Sequence, residues 1–412
     1  MKILLTAFAF EPCETSEPGA AWRFANIAAR QHHVTVLTGG FPGPVERTRA
    51  YLENHPELRI RAVPFWPLGF PKLFGWKLIN LHYWLWQRQL LTPALKLHRE
   101  IRFDLIHHVT LSRYWVGSSI SRLEPPLIWG PVGSGGNTPL SFAGDLPIRA
   151  KCANQARELS AHLCRLDPLL NRTLRKASIC FAMNRDTALK LRGHGVQKVE
   201  ELPQICFSSN RLGELGKTPP PPMPPPIRML SIGRLVYWKG FQYGIQACAE
   251  LKRRGVSFEY RIVGWGPFEN NLLTLIRKLN LSSCVLLAGR MTNEEVLDKE
   301  MARAHVLLHP ALHESFGNVC LEALACGRPV VCLNVGGPAS QVTPACGYAV
   351  SVESPQRAVI EIADAVEGLF SSPDKWQQMS EAARTRANHY FSLERLESRI
   401  QKAYADLEPR NS

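Results

Sequence analysis

Short apolar runs alternate with amphipathic stretches along most of the chain, and this alternation indicates the class of fold. In the second half, helical periodicity separates the apolar runs at residues 241–254, 269–279 and 293–304. A strand followed by a covering helix, repeated along a chain, is typical of a parallel sheet with helices on both faces. The predicted strands cover residues 3–8, 34–37, 104–107, 127–129, 178–183, 199–202, 229–232, 260–263, 285–287, 306–308 and 330–333.

The stretch KTPPPPMPPP, residues 217–226, divides these strands into two series. Proline at this density favours a stiff, extended chain that cannot continue a helix or enter a central strand. The sequence therefore predicts an α/β protein of two Rossmann-like domains facing across a cleft, where ligands bind at the carboxyl ends of the strands. The predicted segments are a first domain at 1–209, a proline-rich linker at 210–227, a second domain at 228–388 and a C-terminal helix at 389–412.

The composition fits this picture and excludes several other classes of protein. The 412 residues are 45% hydrophobic and 20% charged, and no uncharged apolar run approaches the ~18 residues that span a bilayer. The opening residues MKILL resemble the start of a signal peptide, but acidic residues follow too soon, so we interpret them as a first buried strand. Eleven cysteines without a C-x-x-C pair argue against zinc or a disulfide framework and indicate a reducing, cytoplasmic setting.

The positive charge of the chain is concentrated in its first half. Of the net charge of +14, residues 1–209 supply +11, from 26 Lys and Arg against 15 Asp and Glu. Nucleic acid, an anionic membrane or a phosphorylated substrate each suit such an excess, as does a solvated basic surface. Residues 70–102 add three tryptophans within eleven positions and basic flanks. This stretch predicts either a helix in the membrane interface or a helix buried in the protein.

Two glutamates, Glu314 and Glu322, stand eight positions apart around the turn-prone run Ser315–Asn318. If a helix starts near Gly317 or Asn318, its N-terminus offers free N–H groups and partial positive charge to an anion such as a phosphate. Carboxylates on either side of this end could accept hydrogen bonds from sugar hydroxyls. Glycine-bearing loops follow several predicted strands and suggest backbone held close to phosphate; they are residues 17–22, 130–137, 233–240, 263–267 and 334–339.

The motifs GRLVYWKG, VGWGP, HESFGN, GRPVV and NVGG follow one another within residues 233–337. In this order they resemble the donor-binding half of retaining glycosyltransferases of the GT-B fold, family 4, which use nucleotide-activated sugars. The stretches SEPGAAW and IWGPVGSGG near residues 16 and 128 resemble a bacterial branch of that family associated with polysaccharide assembly. The resemblance implies an acceptor-binding first domain, a nucleotide-sugar-binding second domain and a C-terminal helix that crosses back to the first.

The resemblance also implies roles for residues that match the family motifs. It implies that Glu314 faces the sugar hydroxyls and that Glu322 holds the ribose. Arg234 and Lys239 would neutralise the diphosphate leaving group, which gathers negative charge as the sugar bond breaks. Phe316, Gly317 and Asn318 match the loop whose N–H groups meet the sugar and the diphosphate. Gly19 matches the small residue near the diphosphate, and Arg290 lies where the family binds the base.

The sequence departs from the family pattern on the acceptor side. Where many relatives have a histidine, DLIHHVT has Val109, so His107 and His108 are the nearest substitutes for a group that assists the acceptor. Both could equally be packing residues at a strand end. Relatives also often have a glutamate where this chain has Ser340. The chain has no D-x-D pair, and we predict no metal, because cations and a helix end can carry the diphosphate.

The main interpretation is a retaining glycosyltransferase that moves a sugar from a nucleotide-sugar donor to a glycan or lipid-linked glycan. The expected partners include an anionic membrane surface but no nucleic acid, and the expected location is the cytoplasm, peripheral on the inner face of the membrane. Two alternatives stay open. One is a sugar-nucleotide epimerase of the same fold, and the other is a non-catalytic sugar-nucleotide binder within a polysaccharide assembly complex.

Overall fold

The computed structural model describes residues 1–13, 16–67, 78–109, 111, 113–134, 138–372 and 374–409. The chain divides into two compact units by its internal contacts. The first unit comprises Met1–Gly135, Ala156–Ile205 and Leu396–Ser412, and the second comprises Gly136–Gln155 and Cys206–Arg395. Within the described residues, no helix is both long enough and apolar enough to cross a bilayer.

The first unit is built on a parallel sheet of seven strands. In chain order these are β1 Lys2–Ala7, β2 His33–Thr38, β3 Ile60–Pro64, β4 Leu105–Val109, β5 Leu127–Val132, β6 Ala177–Ala182 and β7 Val199–Glu201. Helices join the strands; they are α1 Ser16–Ala29, α2 Pro42–Glu53, α3 Ile79–Gln89, α4 Leu91–Ile101, α5 Ile148–Leu163, α6 Pro168–Lys176 and α7 Arg185–Gly193. Helix α5 begins in residues of the second unit.

The second unit has a parallel sheet of six strands. These are β8 Ile227–Ile232, β9 Phe258–Val263, β10 Val285–Gly289, β11 Val306–His309, β12 Val330–Leu333 and β13 Gly347–Val350. The helices from residue 209 onward are α8 Ser209–Gly216, α9 Phe241–Arg253, α10 Glu269–Lys278, α11 Asn293–Glu295, α12 Asn318–Ala325, α13 Gly336–Gln341, α14 Pro355–Gly368, α15 Lys375–Tyr390 and α16 Leu393–Ala405. Helix α11 continues into a π-helix at Val296–Met301.

The two sheets share one topology. Their strand orders are β3-β2-β1-β4-β5-β6-β7 and β10-β9-β8-β11-β12-β13. In each sheet the first strand lies in the middle, the next two strands extend to one edge, and the remaining strands lie on the other side of the first. This is the Rossmann order, with its switch point between β1 and β4 in the first unit and between β8 and β11 in the second. The predicted class of two Rossmann-like α/β domains is confirmed.

All eleven predicted strands are present, and the two strands that the prediction missed lie at sheet edges. These are β3 and β13. Strand β3 reads IRAVP and is only partly buried, and it ends in a proline, which an edge strand tolerates because one side of it needs no ladder partner. Strand β13 reads GYAV and spans four residues. Neither has the continuous apolar run that marks a strand buried on both faces.

The boundary between the units differs from the predicted one in two respects. The segment that follows β5 lies within the second unit, where Phe142 is fully buried and packs edge-on against Tyr243 at 5.0 Å between ring centroids. In addition, the hydroxyl of Ser141 donates to the carbonyl of Val352 at 2.6 Å. Part of the predicted linker at 210–227 is helical, because α8 ends only at Gly216.

The proline-rich segment is held against the second unit by donors that meet its carbonyls. Proline has no N–H, so at the prolines of this segment only the carbonyl groups need partners. Arg328, which is fully buried, donates to the carbonyl of Pro219. The ring of His305 donates from Nε2 to the carbonyl of Pro222 at 2.8 Å and accepts the N–H of Arg228 at Nδ1, 2.9 Å away.

The C-terminal helix is fixed to the first sheet by a buried hydrogen bond. His107 on β4 is fully buried, and its Nε2 donates to the carbonyl of Gly130 at 2.9 Å. Since a carbonyl only accepts, the proton lies on Nε2, and Nδ1 accepts the hydroxyl of Tyr404 on α16 at 2.8 Å. Burial lowers the pKa of His107 to about 4, so the ring is neutral at physiological pH.

Replacement of Tyr404 by phenylalanine tests this link. The change leaves Nδ1 of His107 buried without a donor, which we expect to lower the free energy of unfolding by about 1–3 kcal/mol. Urea denaturation followed by circular dichroism measures the change. Tyr51→Phe, at an exposed site on α2, is the matched control, with an expected effect within about 0.5 kcal/mol. Equal midpoints for the two variants would show that the hydrogen bond does not anchor α16.

Candidate functional site

The predicted donor residues gather at the carboxyl ends of β8 and β11, the switch point of the second sheet. Arg234 lies two residues after β8, and Lys239 ends the 3-10 turn that follows. The loop after β11 carries Glu314 and leads to α12, which begins at Asn318, one of the two starting points considered from the sequence. Because ligands of open parallel sheets bind beside the switch point, this edge is where the fold alone places a site.

The NVGG motif holds two of these loops together through their backbones. A Cβ atom on Gly336 would overlap the carbonyl oxygen of Glu314, and one on Gly337 would overlap the backbone of Phe316. The N–H of Gly337 donates to the Glu314 carbonyl at 2.9 Å. The two glycines of NVGG therefore allow their loop to pack closely against the loop that carries Glu314 and Phe316. The sequence had suggested instead that glycine-bearing loops bring the backbone close to a phosphate.

Glu314 and Lys239 form an ion pair that is mostly buried. The imidazole Nε2 of His309, at the end of β11, lies 3.8 Å from the same carboxylate oxygen. Burial by itself would raise the pKa of Glu314, but His309 and Lys239 outweigh it and hold the pKa well below its usual range. The site therefore contains a permanent carboxylate with one oxygen held by Lys239.

His309 is a site residue that sequence reasoning missed. It is fully buried, and neither ring nitrogen has a hydrogen-bond partner among the described residues. Burial lowers its pKa, the neighbouring Glu314 opposes that effect, and Lys239 adds to it. Within the apolar strand sequence VLLH it resembles a core residue, and only the fold brings it beside Glu314.

The N-terminus of α12 is open to an anion. Gly317, the N-cap residue, has a left-handed conformation with φ of 86°, and no side chain caps the helix there. The first N–H groups of a helix have no partner within it, so those after Gly317 point away from the helix body. The side chain of Phe316 is buried, so any contact of this residue with a ligand would be made by its backbone.

Glu322 lies one turn into α12, and its carboxylate forms no hydrogen bond with any described residue. Burial raises its pKa to about 7, and Arg211 opposes the shift only weakly. A carboxyl group that is partly buried, has no partner among the described residues and is shifted toward neutrality is typical of a functional site. Its position near the helix end is compatible with the predicted contact to a ribose.

Trp265, in the VGWGP loop after β9, lies between two of the predicted cationic residues. The guanidinium carbons of Arg234 and Arg290 stand 6.0 Å and 5.9 Å from its ring centroid. The indole is 53% exposed, so it can stack on a planar group such as a nucleobase. Sequence reasoning passed over Trp265 because the glycines around it carried the motif. Side-chain size and exposure would have singled it out.

The two predicted residues of the first unit have structural explanations. His107 was predicted to assist the acceptor, but it is fully buried with both ring nitrogens bonded within the first unit, so this prediction is not supported by the geometry. The neighbouring His108 is buried too, and its Nδ1 bonds to the hydroxyl of Thr6 at 2.7 Å. Gly19 lies in the first turns of α1, and a Cβ there would overlap the carbonyl of Cys13.

The described part of the aromatic stretch, residues 78–102, contributes to the core of the first unit. Residues 70–77 lie outside the described part of the chain. Trp86 is fully buried and packs against Phe8 at 5.5 Å between ring centroids, whereas Trp84 is 41% exposed and lies under Arg88 at 4.6 Å. Of the two alternatives, the buried helix is therefore correct for the face of α3 that carries Trp86. The opposite face remains exposed.

Metal ligands do not cluster in the residues that the structure describes: no three His, Cys, Asp or Glu side chains could hold an ion together.

Two family models match the chain, one in each half. Residues 18–203 match the model "Glycosyl transferase 4-like domain", and residues 220–386 match "Glycosyl transferases group 1". The candidate residues of the second unit all lie inside the second match. The predicted glycosyltransferase resemblance is thereby confirmed for both halves of the chain.

Curated relatives match over less than half of the chain. The putative colanic acid biosynthesis glycosyltransferase WcaL of Escherichia coli is 33% identical over 174 residues, 40% of this chain and 42% of that protein. The alpha-D-kanosaminyltransferase of Streptomyces kanamyceticus is 31% identical over 179 residues, 43% of this chain and 45% of that protein. The chain thus spans a little under half the length of these relatives.

Solved structures match over the whole chain and establish the fold. Alr3699/HepE of Anabaena, crystallised with UDP, superposes with a TM-score of 0.62 at 19% identity over 99% of this chain and 100% of that one. The apo lipopolysaccharide outer core galactosyltransferase WaaB superposes with a TM-score of 0.64 at 13% identity, over 99% and 100%. The predicted GT-B fold is confirmed.

Glu322 should make the stability of the protein depend on pH. Its pKa is raised in the folded state, so the folded protein holds a proton that the unfolded chain releases between about pH 4.5 and 7, and stability falls as pH rises through this range. Glu322→Gln removes the charge that is costly to bury. We expect the variant to match the wild type near about pH 5 and to exceed it by up to about 3 kcal/mol near about pH 8.

Urea denaturation at the two pH values measures this difference. Glu294→Gln, at an exposed position on α11, serves as the matched control and should leave the pH dependence unchanged. If Glu322→Gln and the wild type keep the same difference in midpoint at both pH values, the carboxyl group does not titrate in this range.

Proposed function

We infer that this chain, which belongs to the glycosyl transferases group 1 family and has the GT-B fold, transfers a glycosyl group from a nucleotide-sugar donor to an acceptor. The observation that carries the proposal is the set of charges at the switch point of the second sheet. Arg234, the Lys239–Glu314 pair and the uncapped N-terminus of α12 lie on loops after β8 and β11. The Anabaena structure holds UDP, so UDP-sugars are the first donors to test.

The chemistry of donor cleavage suits these groups. As the bond between the sugar and the diphosphate breaks, negative charge gathers on the leaving phosphate. Arg234 and the N–H groups at the start of α12 would stabilise that charge, and such groups act most strongly where the charge develops. The loops that carry these groups are anchored at the sheet edge beside the switch point.

The two carboxylates would orient the donor on either side of its diphosphate. Lys239 occupies one oxygen of Glu314, which leaves the other to accept from sugar hydroxyls, and the ion pair keeps this carboxylate charged at neutral pH. Glu322 would accept the ribose hydroxyls. Trp265, between Arg234 and Arg290, would receive the base on its exposed face.

We extend the proposal to the acceptor and the place of action. WcaL is named for the biosynthesis of colanic acid, and a glycan or lipid-linked glycan in polysaccharide assembly is the acceptor class proposed here. The net charge of +11 in residues 1–209 and the exposed Leu81 and Trp84 on α3 support work in the cytoplasm at an anionic membrane surface. Each nearby Lys or Arg contributes ~1 kcal/mol to attraction by anionic lipid.

Arg234→Ala is the sharpest test of the donor site. Arg234 is exposed and forms no ion pair with a described residue, so its loss should leave the fold intact. Loss of one such cationic group should lower kcat by ~10²–10³-fold. Lys239→Ala should lower turnover by at least ~10²-fold, and it also leaves Glu314 without its cation.

Steady-state kinetics with a UDP-sugar and circular dichroism of each variant supply the readout. Arg277→Ala, an exposed change on α10 of the same unit, is the control and should keep the wild-type rate. Near-normal turnover in both Arg234→Ala and Lys239→Ala would refute the assignment of the site, whereas absence of transfer by the wild type with every nucleotide sugar would refute the proposed activity.

We also propose that transfer retains the anomeric configuration and needs no metal. Retention follows from the family resemblance, and metal independence follows from cations and a helix end placed to carry the diphosphate. NMR of the product formed in the presence of EDTA tests both statements, with the donor's configuration expected. An inverted product, or activity that EDTA abolishes and Mg²⁺ restores, would contradict them.

A further inference from the structure

A cleft rich in arginine lies in the first unit, apart from the residues assigned to the donor. Its volume is about 370 Å³, and its walls carry Arg88, Arg122, Arg172 and Arg175 together with the hydroxyl of Ser119. No acidic side chain lines it among the described residues. Four guanidinium groups around one concave surface repel one another, and an anion bound among them would relieve that repulsion.

Within the described part of the chain, Arg88 is the one member of this arginine cleft with a carboxylate partner. Its guanidinium pairs with Asp167 at 2.8 Å and lies over the ring of Trp84. Asp167 also caps α6 by accepting the N–H of Leu169 at 2.9 Å. The pair therefore joins α3 to the start of α6 and shapes one wall of the cleft.

The other three arginines are exposed and have no carboxylate partner in the described part of the chain. Arg172 and Arg175 stand three positions apart on α6 and so share one face of the helix. Arg122 ends the 3-10 turn Ser119–Arg122. The hydroxyl oxygen of Ser119 accepts the N–H of Leu91 at 3.0 Å, which leaves its proton available to a ligand.

The position of the arginine cleft separates it from the edge where the sheet binds ligands. Helix α6 ends at Lys176, directly before β6, and the Ser119–Arg122 turn precedes β5. Arg175 therefore lies toward the amino ends of these strands, whereas ligands of a parallel sheet bind at the carboxyl ends. The cleft is thus a second site and not an extension of the first.

We propose that the arginine cleft binds a phosphate-bearing anion that carries more than one negative charge, such as a phosphomonoester or a diphosphate. Guanidinium groups match phosphate oxygens in pairs of parallel hydrogen bonds, which is why arginine predominates where phosphate geometry is recognised. The source of the phosphate is either a lipid headgroup or a soluble compound, and the same chemistry serves both. This proposal does not depend on the proposed glycosyl transfer.

Calorimetric titration with inorganic pyrophosphate at constant ionic strength tests the proposal. The first variant combines Arg122→Gln, Arg172→Gln and Arg175→Gln and keeps Arg88, because Arg88 supports the fold through Asp167. The control combines Arg47→Gln, Arg49→Gln and Arg61→Gln, which remove the same charge from exposed positions on α2 and β3. Any binding at the donor site is common to both variants, and a UDP titration measures that site separately.

We expect the cleft variant to lose one binding event or to weaken it at least about tenfold, with UDP binding unchanged, and the control to match the wild type. Arg175→Gln alone, a substitution at an exposed helical position, should give a smaller loss of affinity for pyrophosphate. This single variant serves as the test if the triple variant does not fold. The same stoichiometry and affinity for pyrophosphate in the cleft and control variants would overturn the proposal.

Co-sedimentation with phosphatidylcholine vesicles that contain phosphatidic acid identifies the source of the phosphate. Weaker sedimentation of the cleft variant than of the control, together with competition by pyrophosphate, supports a lipid headgroup. Equal sedimentation of the two variants alongside different pyrophosphate titrations supports a soluble anion.

Discussion

The backbone and side chain of Glu314 together hold the donor edge of the second unit. Its carbonyl accepts the N–H of Gly337 from the loop after β12, and its carboxylate pairs with Lys239 from the loop after β8. The loops that follow three different strands therefore meet at this residue. Breaking a buried ion pair by removing one partner typically costs about 3–5 kcal/mol, so the same contacts that prepare the site also fix its walls.

The parallel topology explains why charged groups can meet there at all. Every strand of the second sheet ends on the same side, so loops far apart in sequence, such as those carrying Arg234, Trp265 and Arg290, come together. The strands at the switch point, β8 and β11, are largely buried and support this edge. An edge with such charges suits a reaction whose main demand is stabilisation of a departing diphosphate.

The first unit uses similar polar residues for a different purpose. His107 and His108 lie in the middle of its sheet and are held neutral by burial. Their hydrogen bonds to Tyr404 and Thr6 connect α16 and β1 to β4. Exposed arginines of this unit line the arginine cleft, and others lie on α2 and β3. The two units therefore share a topology, but the buried polar groups of the first sheet anchor neighbouring elements, whereas those of the second sheet form the candidate site.

The sequence by itself determined the class of fold and most of the strands, because buried parallel strands need continuous apolar runs. It also limited the start of α12 to Gly317 or Asn318. It did not show β3 or β13, because IRAVP is interrupted by an arginine and ends in a proline, and GYAV is short and opens with a glycine. Only the tertiary structure decided that Lys239 pairs with Glu314, that His309 joins them and that His107 is enclosed. Burial and pairing depend on contacts between distant segments, and local sequence carries no record of them.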